Sequence, residues 1–309
     1  GSAQTPGSGN FTLADTQALT ITGAISTSGG LVLRSAGAIT QASALSGQQI
    51  SLTGSTLTLA APITAGTLAL SASNGVSEST GSIDATLLSG NISGDATLDA
   101  AGNNIGTLVN FSDTGTLRLR DAGALSQAGS LSAGNAILTS NGLNLSGSVL
   151  VPGTLLLAST GSVLQSGGAV SAGTLSSLGT VQGDLIMAQP GNLFPVVNNL
   201  AATGAIDLTS AAALAQTGAL SAGTVTLTSP SLALNGVLDA GGALQLNGGS
   251  TSEGGSATIT TAIEPAAPEI MPGRPPNSAV KVQMMNAPYR PISGLRWATR
   301  AKAMHSGTK

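Results

Sequence analysis

The feature that most constrains this chain is a template that returns along it. Leu117-Arg-Leu119 is followed by Leu125 and then Gln127. Leu31-Val-Leu33 leads in the same way to Ile39 and Gln41, Leu155-Leu-Leu157 to Val163 and Gln165, and Ile206-Asp-Leu208 to Leu214 and Gln216. Leu68-Ala-Leu70 leads to Val76, with Glu78 where the other copies carry Gln. Four copies run on into a Leu/Val-Ser-(Ala)-Gly step, at Leu45, Leu131, Val170 and Leu220. Successive copies begin 37, 49, 38 and 51 residues apart, and a weaker one begins at Leu244. Between them lie half-units such as Ile50-Ser-Leu52 before Leu57-Thr-Leu59. The unit is therefore about 38 residues in two halves of about 19, with insertions in two places.

Aliphatic residues alternate with polar ones, which is the strand signal. Each run lasts only a few residues before Gly, Asn or Ser-Gly interrupts it. Strands that short build a coil of about 19 residues with three strands and tight turns, whose strands pair with those of the next coil about 4.8 Å away. The pattern thus predicts an all-β, right-handed parallel β-helix of about 13 coils over residues 10–262, a rod of roughly 60 Å. One coil buries too little to offset the entropy of ordering it, so stability must come from the stack.

Composition agrees. The chain has 309 residues, of which 7% are charged and 2% aromatic, with 43 Gly and no Cys. An ordinary globular domain carries about a quarter charged residues. A disordered chain would lack the Leu, Ile and Val abundant here. No apolar run reaches the ~18 residues of a membrane-spanning helix. Without Cys there are no disulfides and no Cys-ligated metals. Residues 1–262 hold three basic residues and eleven acids, whereas residues 263–309 hold seven and two. A weakly acidic body precedes a basic tail. We divide the chain into an extension 1–9, the β-helix 10–262, a Pro-rich linker 263–278 and a basic tail 279–309. In the tail, Val280 to Met284 alternates like a strand able to pair on an open edge. Arg296, Trp297, Arg300 and Lys302 fall on a short basic amphipathic stretch.

The paired halves and the recurrent Ser-Ala-Gly corner resemble the filamentous haemagglutinin-like repeats of large bacterial exoproteins. The resemblance covers about residues 10–262. It implies a right-handed β-helix exported by two-partner secretion through an outer-membrane partner of a Gram-negative bacterium, either secreted or on the cell surface, and often adhesive. The family's N-terminal secretion domain, with its Asn-Pro-Asn signature, is not in this sequence, so the chain reads as a segment of a longer exoprotein.

No residue pattern points to catalysis, a cofactor or a metal. The Gln series reads as buried amides serving backbone groups at turns. Arg118 and Arg120 flank Leu119 and should point outward beside Asp113 and Asp121, with Arg34 at the position equivalent to Arg120. Together with Arg296, Trp297, Arg300 and Lys302 they are the candidate interaction residues, the strand arginines suited to an anionic sugar or a partner and the tail residues to anionic lipid, lipopolysaccharide or an acidic solenoid neighbour. Asp95 and Asp99 lie four apart, with Asp84 nearby, and on a strand would share a face as a carboxylate pair for glycoside hydrolysis or Ca²⁺, but residues 1–262 offer no Trp, Tyr, His or Lys to complete a sugar-cleaving site. Outward threonines such as Thr20 and Thr22 look too scattered to form a regular array. The expected function is a non-enzymatic structural or adhesive rod, assembling with itself or binding cell-surface glycans, with no role for nucleic acid. The alternative is a polysaccharide-binding or -cleaving β-helix.

Overall fold

The computed structural model describes residues 3–4, 9–255, 257–261 and 283–285. These form an all-β parallel solenoid of about 13 turns. Between residues 9 and 261 every strand pairs in parallel with a strand one coil away, 18 to 22 residues along the chain. The first coil shows the plan: Phe11–Asp15, Leu19–Ile21 and Ile25–Ser26 make three faces, and Gly30–Ser35, Ile39–Gln41 and the start of Leu45–Gly54 stack on them in order.

Alternation decides which side chains enter. On the second face the inward ladder runs Leu19, Ile39, Leu57, Val76, Ala96, Leu117, Ala136, Leu155, Leu175 and Val197. All but Leu19, in the first coil, are fully buried. The first face contributes Leu31, Ile50, Leu68, Leu88 and Leu108, and the third Ile25, Leu45, Ile63 and Ile83. Each inward side chain packs on equivalents one coil above and below, which a single coil lacks.

The cross-section changes along the stack. In the lower coils the ladder skips Gly66 and Thr86, where the third face turns into the first. Between Leu88 and Gly90, and again between Val109 and Phe111, the register shifts. The residue behind the shift is Asn110, whose φ of 48° is left-handed, and Gly129 above it has φ 77°. Above this point the bend falls at Gly129 and Gly168, and Leu125–Ser132 splits into two pairings, with Leu143–Leu145 and with Ser148–Ser159. The 49-residue interval in the sequence template falls here. Leu31 and Leu68 lie on the first face, but Leu117 and Leu155 lie on the second. The template therefore repeats in sequence without keeping to one face.

Gln283–Met285 pairs in parallel with Gln245–Asn247 of the last coil. The Pro-rich linker 263–278, the rest of the tail, and with them Arg296, Trp297, Arg300 and Lys302, lie outside the described residues.

Candidate interaction surface and the polar corners

Arg34, Arg118 and Arg120 are all exposed, as their alternation with buried Leu33, Leu117 and Leu119 requires. The structure places Arg118 and Arg120 on one strand but does not bring Arg34 to them. Arg34 is in register with Ala14 and Thr53 on the first face, whereas Arg118 is in register with Thr97 and Ile137 on the second. The equivalence of Arg34 and Arg120 in the template is lost because the corner moves between them.

The expected acidic neighbours also differ. Asp113 and Asp121 turn inward and are each only 3% exposed. Asp113 Oδ1 accepts the amide of Gly115 at 3.0 Å, and Asp121 Oδ1 accepts that of Ile105 at 2.7 Å. Both carboxyls accept backbone amides at corners, the Gly115 amide being shared with the Gly94 carbonyl, and amides left without an acceptor are costly to bury.

The threonines are less scattered than their sequence positions imply. Thr20, Thr40, Thr58, Ser77 and Thr97 stand in register on five successive coils of the second face, directly below Arg118. Insertions change the sequence spacing without breaking this ladder, because they are absorbed at corners. Above Arg118 the same line continues with Ile137 and Leu156.

The Gln series takes the structural role expected of it. Gln41, Gln127 and Gln216 are fully buried. Gln41 Nε2 donates to the carbonyls of Ser43 (2.9 Å) and Ala61 (3.0 Å), and its Oε1 accepts the Ala61 amide at 3.3 Å. Gln216 repeats this, donating to Gly218 and Val237 while accepting from Gly236. Each amide ties its own turn to the turn of the next coil. At Gln165 the partner is Asn192, with bonds of 2.8 and 2.7 Å in both directions. At Glu78 the corresponding partner is Asn103, whose Nδ2 donates to Oε2 at 2.8 Å.

A second polar series was not apparent from the sequence. Asn and Asp at corners accept, through the side-chain oxygen, an amide of the next coil. The pairs are Asn10 with Gly30, Asp95 with Thr116, Asn110 with Ser130, Asn135 with Thr154, Asp184 with Ala205 and Asn199 with Ala219. A glycine caps each: a Cβ at Gly29 or Gly129 would come 2.8 or 2.5 Å from the Asx oxygen. The signal available in the sequence is an Asx followed about 19 residues later by Gly. Asp95 is thus engaged with the Thr116 amide at 2.8 Å, and Asp84 Oδ1 accepts from Asn104 at 3.0 Å. Among the described residues no cluster of three or more His, Cys, Asp and Glu could hold a metal.

Burial raises the pKa of Glu78, Asp113 and Asp121, against the opposing effect of their backbone and amide donors. Asp207 and Glu253 are also raised by burial.

Residues 8–62 and 133–201 match a family described as repeats of unknown function (DUF5649). Both stretches contain an Asx corner and a buried Gln, at Asn10 and Gln41 and at Asn135 and Gln165. No curated protein and no solved structure matches the chain.

Proposed function

We propose that this chain is the stiff shaft of a bacterial surface or extracellular protein, a non-enzymatic rod that displays a binding surface or contacts further copies of itself. On this reading it is a filamentous haemagglutinin-like segment, exported with the help of an outer-membrane partner. The observation that carries the reading is the second-face ladder, aliphatic from Leu19 to Val197 without interruption. Bending such a stack would open side-chain contacts and backbone ladder bonds on one side together, so the element resists bending.

The outer surface supports the choice of partner. The line of hydroxyls from Thr20 to Thr97, ending under the guanidinium of Arg118, offers neutral hydrogen-bonding groups beside a fixed cation. That combination suits an acidic glycan. The test is retention of the purified protein on immobilised acidic polysaccharides, with the same glycans assayed for new reducing ends. Salt-sensitive retention without cleavage is expected. New reducing ends would favour the polysaccharide-cleaving alternative, and loss of all retention would remove the glycan-binding reading.

A further inference from the structure

Glu78, Asp113 and Asp121 surround a single coil, residues 87–105. Glu78 lies one coil below and bonds Ala100 N at 3.1 Å and Asn103 Nδ2 at 2.8 Å. Asp113 is in register with Ile92 one coil above. Asp121 reaches down to Ile105 N at 2.7 Å. The exposures of the three residues are 8%, 3% and 3%. In each, one carboxyl oxygen is bonded and the other, Glu78 Oε1, Asp113 Oδ2 or Asp121 Oδ2, is buried without a partner.

For Glu78 and Asp113, residues at equivalent positions elsewhere in the stack both accept and donate. Glu78 takes the template position of Gln41, Gln127, Gln165 and Gln216, whose Oε1 accepts while Nε2 donates. Asp113, whose Oδ1 accepts the amide two residues on, corresponds to Ser35, which accepts Gly37 N and donates to Gln17 O. Asp121 follows Arg120 as Ser140 follows Thr139, and Arg120 and Thr139 are in register. Ser140, whose hydroxyl is itself buried without a partner, is in register with Ser159, which accepts the amides of Gly142 and Gly161. A carboxylate only accepts, whereas an uncharged carboxylic acid accepts through one oxygen and donates through the other. For Glu78 and Asp113 the protonated form therefore offers the acceptor and donor that Gln41 and Ser35 use, and for Asp121 it removes the charge from a position that Ser140 fills with a neutral hydroxyl.

We propose that these three carboxyls form a proton-operated clasp on coil 87–105: uncharged they hold the coil to its neighbours, and ionised they let it open. The surroundings favour the uncharged state. The strands beside Glu78, Leu57–Leu59 and Ala96–Leu98, contain no ionisable side chain, and Asp99 just beyond adds like charge. Asp95 does the same to Asp113. On the strands flanking Asp113 the only other ionisable group is Asp84, at the far end of Ile83–Ile92. Asp121 meets backbone amides, while Arg118 and Arg120 on the preceding strand face outward. The sign is fixed by the raised pKa values. The stabilisation is complete at acidic pH, below the ordinary values of 3.8 and 4.5, and is lost as pH rises through the elevated folded-state values.

Hydrogen exchange of the full chain, corrected for the intrinsic pH dependence, tests this. Protection of peptides within 87–105 should fall by at least about tenfold between pH 5 and pH 9. Peptides within 122–183, which contain no acid, serve as the internal reference. In the triple variant Glu78→Gln, Asp113→Ser, Asp121→Ser the extra loss should vanish. Equal pH dependence in wild type and variant, or in the two regions, overturns the proposal. If the variant does not fold, the infrared carboxylic-acid band of the wild type decides. It should persist above the pH at which exposed acids ionise and vanish together with the protection. Its disappearance by about pH 5 overturns the proposal.

Discussion

Asp184 Oδ1 accepts the amide N–H of Ala205 at 2.8 Å, and Gly204 lies directly over that oxygen. The bond joins one coil to the next at a corner, at the first residue of the strand Ala205–Thr209. Asp184→Ala should cost about 1 kcal/mol, as loss of a helix cap does, and Asp184→Asn should restore most of it. Gly204→Ala places a Cβ against the carboxylate and the Gly183 backbone, and should cost about 1–3 kcal/mol. Guanidinium unfolding midpoints measure all three. A Gly204→Ala midpoint equal to wild type would show that the corner gives way freely.

The buried Gln positions predict a larger loss. In Gln41→Leu the Ala61 amide and the Ser43 and Ala61 carbonyls lose their partner beside the core, at about 1–3 kcal/mol for each group left unpaired. Gln41→Glu adds a pH dependence. It should match wild type at acidic pH, where the acid still donates, and weaken towards neutrality. Urea midpoints measured at pH 4.5 and pH 8 check the sign.

The solenoid was legible in the sequence because alternation and period act directly on the inward ladders. Leu31, Leu117 and Ile206 are buried as the template requires. The location of each face was not legible. A left-handed Asn110 moves a corner, and nothing in the Leu-x-Leu count records which face a repeat joins. The same shift separated Arg34 from Arg118. The inward turn of Asp113 and Asp121 escaped sequence reading because position alone cannot show whether a corner residue faces solvent or an unpaired amide. The Asx-to-Gly spacing of about 19 residues was present but weak in a chain this rich in glycine.

Gly90 and Phe111 are register partners, and a Cβ on Gly90 would collide with the Phe111 ring. The ring is 1% exposed and fills the space above a residue that has no side chain. Gly90→Ala should therefore destabilise by about 1–3 kcal/mol. In a Phe111→Leu background the same change should cost less, with a coupling of about 1 kcal/mol or more in a double-mutant cycle. Strictly additive effects would mean that the ring does not depend on the glycine.

Arg118 and Arg120 give the prediction closest to function. Both side chains are exposed on one strand beside the hydroxyl line, and Arg34 stands on another face. Replacing Arg118 and Arg120 by Ser should leave the unfolding midpoint within about 0.5 kcal/mol of wild type. Retention on an acidic polysaccharide should weaken several-fold at low salt, with a shallower salt dependence, because two cations no longer face the ligand. Arg34→Ser should weaken retention less, since its charge lies on a different face from the bound chain. Equal losses from both changes would show that the polysaccharide responds to overall charge, and the second-face line would no longer be its binding surface.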